Sequence, residues 1–232
     1  MSRVEVPSEN KLGACPTMVF GDVSTAAAAI IVMQEWWGMN QHILDTAKHI
    51  SEKSGVVTLV PDIYRGKVAT DRETASHYSA DLDWRGAIAD VDACAKYLKQ
   101  QGCKKVGLTG FCQGGAMTIA VALFCDTIDA AVPFYGIPNK SGLPLDYNNL
   151  QCPLQCHFGE EDTVVGVASP EDYNPLRSKL TELNKNFEFY TYKAGHAFAN
   201  SSGPNFNKEA YELSFSRMFS FFEKHLEFKS PA

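Results

Sequence analysis

No two of the seven cysteines (Cys15, Cys94, Cys103, Cys112, Cys125, Cys152 and Cys156) are spaced as Cys-x-x-Cys. That spacing underlies most structural zinc sites and dithiol redox centres, and an odd cysteine count closes no disulfide framework. Neither a metal nor a cofactor is therefore expected, and most of the thiols read as small apolar core residues in a reducing compartment. Lysine- and arginine-rich runs are also absent: 21 basic against 27 acidic residues leave a net charge of −6. Nucleic acid is not an expected partner of such a chain. Long apolar runs are missing too. The most apolar stretch, Ala26 to Met33, has the length of a buried strand and not of a membrane span. The opening residues, MSRVEVPSENK, lack the apolar region of a signal peptide. A cytoplasmic address away from the membrane is the expectation, and the Asn-x-Ser triplets at Asn139 and Asn200 are read as unused. Internal repeats, low-complexity segments and linker-like stretches do not occur. With 45% of 232 residues hydrophobic, one domain over residues 1–232 is expected.

What is present is an alternation. Ala28 to Met33 reads as a buried strand, and Asn40 to Lys53 as a helix with Ile43, Leu44, Ala47 and Ile50 on one face. Val56 to Val60 is the next strand, and a polar segment from Gly66 to Asp83 follows. The apolar face of a second helix is marked by Ala87, Ile88, Val91, Cys94, Ala95 and Leu98. Strands are expected at Lys105–Thr109, Ala130–Phe134, Leu154–Phe158 and Phe187–Tyr192. Helices are expected at Gln113–Phe124, Leu176–Leu183 and Lys208–Leu226. Strand and helix in repetition predict an α/β protein with a doubly wound, mostly parallel sheet covered by helices on both faces.

In such sheets function gathers at the carboxyl ends of the strands. Gln34, Glu35, Trp36 and Trp37 follow the Ala28 strand, and Cys112 follows the Lys105 strand. Asp162 follows the Leu154 strand, and His196 the Phe187 strand. Cys112 lies in GFCQGGA, the outline of a nucleophile elbow whose usual centre is serine. Nucleophile, acid and base then occur in the order Cys112, Asp162, His196, that of an α/β-hydrolase. The types suit the chemistry. A thiol must lose its proton to attack a carbonyl, a histidine accepts and returns that proton, and a carboxylate orients the imidazole. The backbone N–H groups of Gln113 and Trp36 are the expected oxyanion donors. Taken singly, Cys112 reads equally as a buried thiol, His196 as a packing residue and Asp162 as a loop carboxylate like Glu160 and Glu161. His157, inside a strand, reads as core or solvent-facing.

The stretches MQEWWGMN, LVPDIYRG, GFCQGGA with HFGEEDTVV, and AGHAFAN together resemble the dienelactone hydrolases, a cysteine-dependent branch of the α/β-hydrolases. The likeness runs from about Ala28 to Leu226 and implies the α/β-hydrolase fold. The triad carries over to Cys112, Asp162 and His196. The resemblance also implies that Glu35 hydrogen-bonds the resting thiol and takes its proton when substrate arrives. It implies a substrate-carboxylate contact at Arg72. A second family arginine falls at Asn200, and a family tyrosine at Ser76, so the charged anchoring of a carboxylate is reduced. Trp36, Trp37 and Phe198 are expected to line an apolar substrate pocket, while Arg65, after the Val56 strand, reads as a solvated surface charge or as a second anion contact. The short connection between Tyr135 and Leu154 leaves no room for a large cap, and residues 66–83 are the candidate flap. The implied function is hydrolysis of a small lactone or carboxylic ester, of the carboxymethylenebutenolidase type, by a monomer or homodimer without cofactor. The rival readings are a non-catalytic small-molecule binding protein on a hydrolase scaffold, which has no need of all three triad groups, and a thiol redox protein, which lacks its Cys-x-x-Cys.

Overall fold

A computed structural model describes residues 1–231. Eight strands form one sheet: β1 (Ser2–Val6), β2 (Cys15–Phe20), β3 (Ala28–Met33), β4 (Val57–Pro61), β5 (Lys105–Phe111), β6 (Ala130–Phe134), β7 (Leu154–Gly159) and β8 (Phe187–Tyr192). Their spatial order is β1-β2-β4-β3-β5-β6-β7-β8. The hairpin β1–β2 is antiparallel and pairs antiparallel to β4, and every pairing from β4 to β8 is parallel. Among the described residues six α-helices complete the fold: α1 (Gln41–Ser54), α2 (Arg72–Ala80), α3 (Trp84–Gln100), α4 (Gln113–Phe124), α5 (Pro170–Glu182) and α6 (Lys208–Leu226). This is the α/β-hydrolase arrangement, without a large cap.

The central strands β3 to β7 are buried throughout except for Lys105 at the start of β5, as parallel strands covered on both faces must be. Helix α1 starts at Asn40, whose side chain accepts the Ile43 N–H at 3.1 Å, and stops at Gly55 in the left-handed region at φ 72°. Helix α4 lies in the middle of the molecule, with Gln113 to Leu123 all buried, so its apolar residues surround it without a polar stripe.

Several parts of the fold depart from the sequence expectation: β2 (Cys15–Phe20) is a mostly buried strand where none is expected, and α5 begins at Pro170, before the expected Leu176. The N-terminal polar stretch contains β1, an edge strand with mostly exposed residues. The 66–83 segment contains α2, capped by Asp71, with only Ala75 buried. Neither β1 nor α2 carries the apolar periodicity of a core element. Arg65 is corrected as well. Its guanidinium forms a two-pronged ion pair with Asp90 at 2.8 and 2.9 Å and donates to the carbonyls of Asp62 and Gly13 at 3.0 Å. Asn10 donates to the same carboxylate at 2.8 Å. Asp90 is fully buried on α3, so this one group ties the N-terminal hairpin, the β4 loop and α3 together. Asp90→Asn leaves a guanidinium without its counter-charge. It should destabilise the protein by about 3–5 kcal/mol, read as a fall in the urea midpoint; an unchanged midpoint would reduce the pair to a surface contact.

His157 is core, held by hydrogen bonds across β7 and β8. Its Nδ1 lies 2.7 Å from the Tyr192 hydroxyl and its Nε2 lies 2.9 Å from Gln155 Oε1. Gln155 in turn donates to Glu188 at 2.6 Å, and Arg217 donates to the Tyr192 oxygen at 3.1 Å. Donors and acceptors match if Tyr192 donates to Nδ1 and the ring proton sits on Nε2. Burial, and behind it the charge of Arg217, push the imidazole down to about 3, so the ring stays neutral in the core.

Candidate active site

Backbone strain marks where the site is. Six described residues other than glycine have positive φ. Asn184 and Glu227 sit just beyond the ends of α5 and α6, where the left-handed conformation is usual. The other four lie at or just beyond strand ends on one side of the sheet: Arg65 after β4, Cys112 after β5, Tyr135 after β6 and Ala197 after β8. Such conformations cost energy and persist where surrounding structure holds them.

Cys112 is the most unusual, at φ 54° and ψ −116°, between the last residue of β5 and the first of α4. The elbow is possible because its flanks are glycine. A Cβ on Gly110 would meet the Gly114 carbonyl, and one on Gly114 would meet the carbonyls of Gln34 and Met33. The bend presents the sulfur at the start of α4, which has no side-chain cap, so its first N–H groups and dipole favour negative charge there.

The ends of β7 and β8 bring two more groups to the sulfur. His196 Nε2 lies 3.2 Å from Cys112 Sγ, and His196 Nδ1 lies 2.7 Å from Asp162 Oδ2. The other oxygen of Asp162 accepts the Val164 N–H at 2.9 Å, which fixes the carboxylate's direction. Since the carboxylate can only accept, Nδ1 carries the proton, and Nε2 is the acceptor facing the thiol. Burial opposes charge on the imidazole. Even so, its bonds to Asp162 and Cys112 and their negative charge push it up to about 10. Beside an ionised sulfur, the imidazolium is thus the stable partner.

Glu35 follows β3 and is 5% exposed. Its Oε2 accepts from Asn200 Nδ2 at 2.7 Å, while its Oε1 is buried without a partner. Burial pushes this carboxyl up to about 7, against the Asn200 bond and the charge of His196. The expected resting contact between Glu35 and the thiol is not formed. The thiol faces His196, and the amide of Asn200 holds the carboxylate instead. Trp36 and Trp37 are half-buried with rings edge-to-face at 5.2 Å. No protein acceptor among the described residues takes the N–H of Trp36 or of Gln113.

Phe198 is not a pocket residue: it is completely buried, packed against Tyr135 and Tyr192 at 5.1 Å between ring centres. As an apolar side chain two residues past His196, it turns into the core and anchors the histidine loop. Arg72 is the first residue of α2 and exposed, as is Ser76 one turn later. Two tyrosines were not anticipated. The Tyr64 hydroxyl donates to Gln113 Oε1 at 3.1 Å. Tyr135 is fully buried, with its ring edge-on to His196 at 5.3 Å. Tyr135 follows β6, and no polar or charged motif at that strand end marks it in the sequence.

The family model for the dienelactone hydrolase family matches residues 16–226, a span that takes in Cys112, Asp162 and His196. The chain belongs to the dienelactone hydrolase family. It is similar to carboxymethylenebutenolidase 1 of Cupriavidus pinatubonensis, with 26% identity over 209 residues covering 85% of this chain and 86% of the relative. Protein usf of Aquifex pyrophilus is 36% identical over 147 residues, covering 59% of this chain and 62% of that protein. Among solved structures, a dienelactone hydrolase-like promiscuous phosphotriesterase from metagenomic libraries superposes with a TM-score of 0.78 at 20% identity, covering 97% of this chain and 98% of that one. An esterase of Pyrococcus furiosus gives 0.71 at 16% identity, covering 97% and 92%. At these identities the structures speak to the fold. Among the described residues no helix of this family member is long and apolar enough to cross a membrane.

Proposed function

We propose that the chain hydrolyses small carboxylic esters or lactones through an acyl-enzyme on Cys112. The observation that carries this reading is the unbroken relay from Asp162 through His196 to the sulfur, at 2.7 and 3.2 Å. His196 takes the thiol proton, and Asp162 stabilises the imidazolium. The thiolate attacks the substrate carbonyl, and the N–H groups of Gln113 and Trp36 receive the developing oxyanion. His196 then returns the proton to the leaving alkoxide, and water drawn through the same base releases the acid. Trp36 and Trp37 give the site an apolar wall suited to an uncharged or aromatic acyl group. Arg72 is the contact assigned to a carboxylate where the substrate carries one. Glu35, whose carboxyl burial pushes up to about 7, is assigned as the alternative acceptor of that same single thiol proton once the carboxyl leaves Asn200.

The test is mass spectrometry of the intact protein after brief incubation with p-nitrophenyl acetate, followed by peptide mapping. An acetyl group on Cys112 that accumulates and then decays with p-nitrophenol release is expected. A protein that binds ester or lactone but never forms the adduct would be a binding protein on a hydrolase scaffold.

A further inference from the structure

Tyr135 is held at considerable cost. It follows β6 in the left-handed region at φ 34°, its side chain is completely buried, and its hydroxyl has no hydrogen-bond partner. The Ala199 N–H approaches the phenolic oxygen without closing a bond, so the O–H proton is left without an acceptor. Buried polar groups are nearly always paired, and one that is not calls for an explanation. A merely structural residue here would be phenylalanine, since the ring alone packs against His196 and Phe198.

The surroundings point to what the hydroxyl serves. The ionisable groups that act on it are Glu35 first, then Cys112 and, more weakly, Asp162. On Glu35 in turn the ionisable group that acts is His196, just beyond the end of β8. Asn200 already occupies Oε2 of Glu35, and Oε1 is a buried acceptor without a donor. The ring of Tyr135 packs on His196 and Phe198, and Asn200, two residues further along the same loop, holds Glu35, so an orphan donor and an orphan acceptor are both gathered at the 196–200 loop. We infer that Tyr135 is a positioning residue for Glu35, its phenolic O–H held in reserve as the donor to Oε1 of the ionised carboxylate. A swing of either side chain, or one bridging water, closes the bond when the carboxyl loses its proton. A neutral carboxyl has less need of that donor, so the contact favours the charged form. The inference rests on the role given above to Glu35 in the thiol's proton exchange.

The test is Tyr135→Phe, which keeps the ring and removes only the oxygen. The protein is labelled with carboxyl-13C glutamate, and the Glu35 signal is assigned by its loss in Glu35→Gln. The Glu35 titration should move up by about one unit or more in Tyr135→Phe, a tenfold change in its ionisation constant. The acid limb of kcat/KM for p-nitrophenyl acetate should move with it, lowering activity at neutral pH and recovering it in alkali, with KM little changed. A structural role alone would not shift a titration. An unchanged Glu35 titration in Tyr135→Phe overturns the inference whatever turnover does. Absence of an acetyl adduct on Cys112 in wild type would instead sink the hydrolase reading and leave the titration as an independent result.

Discussion

Asp162→Asn should lower turnover by roughly ten-thousand-fold, the scale seen when the orienting carboxylate of an analogous serine triad is replaced by its amide. The side chain is 3% exposed and makes two contacts, Oδ2 to His196 Nδ1 at 2.7 Å and Oδ1 to the Val164 N–H at 2.9 Å. An asparagine can keep the second through its carbonyl. Its NH2 then faces Nδ1 and donates to it, which drives the ring proton to Nε2. The nitrogen beside Cys112 Sγ becomes a donor, with no lone pair to take the thiol proton. The imidazolium also loses the negative charge that stabilises it against burial. Volume and packing barely change, so the melting temperature should stay near that of wild type. Steady-state hydrolysis of p-nitrophenyl acetate, with circular dichroism on the same samples, decides the matter. Turnover within threefold of wild type would take Asp162 out of the relay.

The legible parts of this molecule are those where burial imposes a pattern. Strands β3, β5, β6 and β7 are covered on both faces, and β3 shows it as an uninterrupted apolar run, Ala28 to Met33, recognisable at sight. Position then does the work for the site: Cys112, Asp162 and His196 could be picked out because each follows a strand that the pattern had already located. Where burial is partial, the pattern fails. Strand β1 alternates only weakly, and α2 buries little besides Ala75, so both passed as polar chain. Ionic groups mislead for the opposite reason. Arg65 carries a charge that composition assigns to solvent, yet its partner Asp90, twenty-five residues on in α3, pulls it inward. No local signal encodes that pairing. Phe198 shows the same limit for aromatics: a ring next to a catalytic-type histidine suits a pocket wall or a core anchor equally, and only its complete burial decides. The sequence shows Asn200 as a departure from the family arginine, but its consequence, an amide on the Glu35 carboxylate, lies in the distance of 2.7 Å.

Cys112→Ser should lose activity by at least about a hundredfold, even though many elbows of this fold work with serine. The loss follows from how the proton is handled. A thiol gives up its proton near neutral pH, while an alcohol holds on far more tightly, so a serine needs its base aligned at the moment of attack. Here the base is set for sulfur: Nε2 stands 3.2 Å from Sγ, and the shorter C–O bond of serine draws the hydroxyl back from it. Glu35 gives no help. A carboxyl titrating near 7 can exchange a proton with a thiol but is many orders of magnitude too weak a base to form an alkoxide. The strained backbone at φ 54° is unaffected, because serine adopts the same elbow in related folds, so the oxyanion donors stay in place. The variant should therefore fold, bind substrate with a KM close to that of wild type, and fail in kcat. Adding Glu35→Gln to Cys112→Ser should then cost almost nothing more, whereas Glu35→Gln in the wild-type background should slow alkylation of Cys112 by iodoacetamide in the presence of a substrate analogue. Equal losses from Glu35→Gln in both backgrounds would separate the carboxyl from the thiol's proton, and a serine variant as fast as wild type would show that the site makes no use of sulfur chemistry.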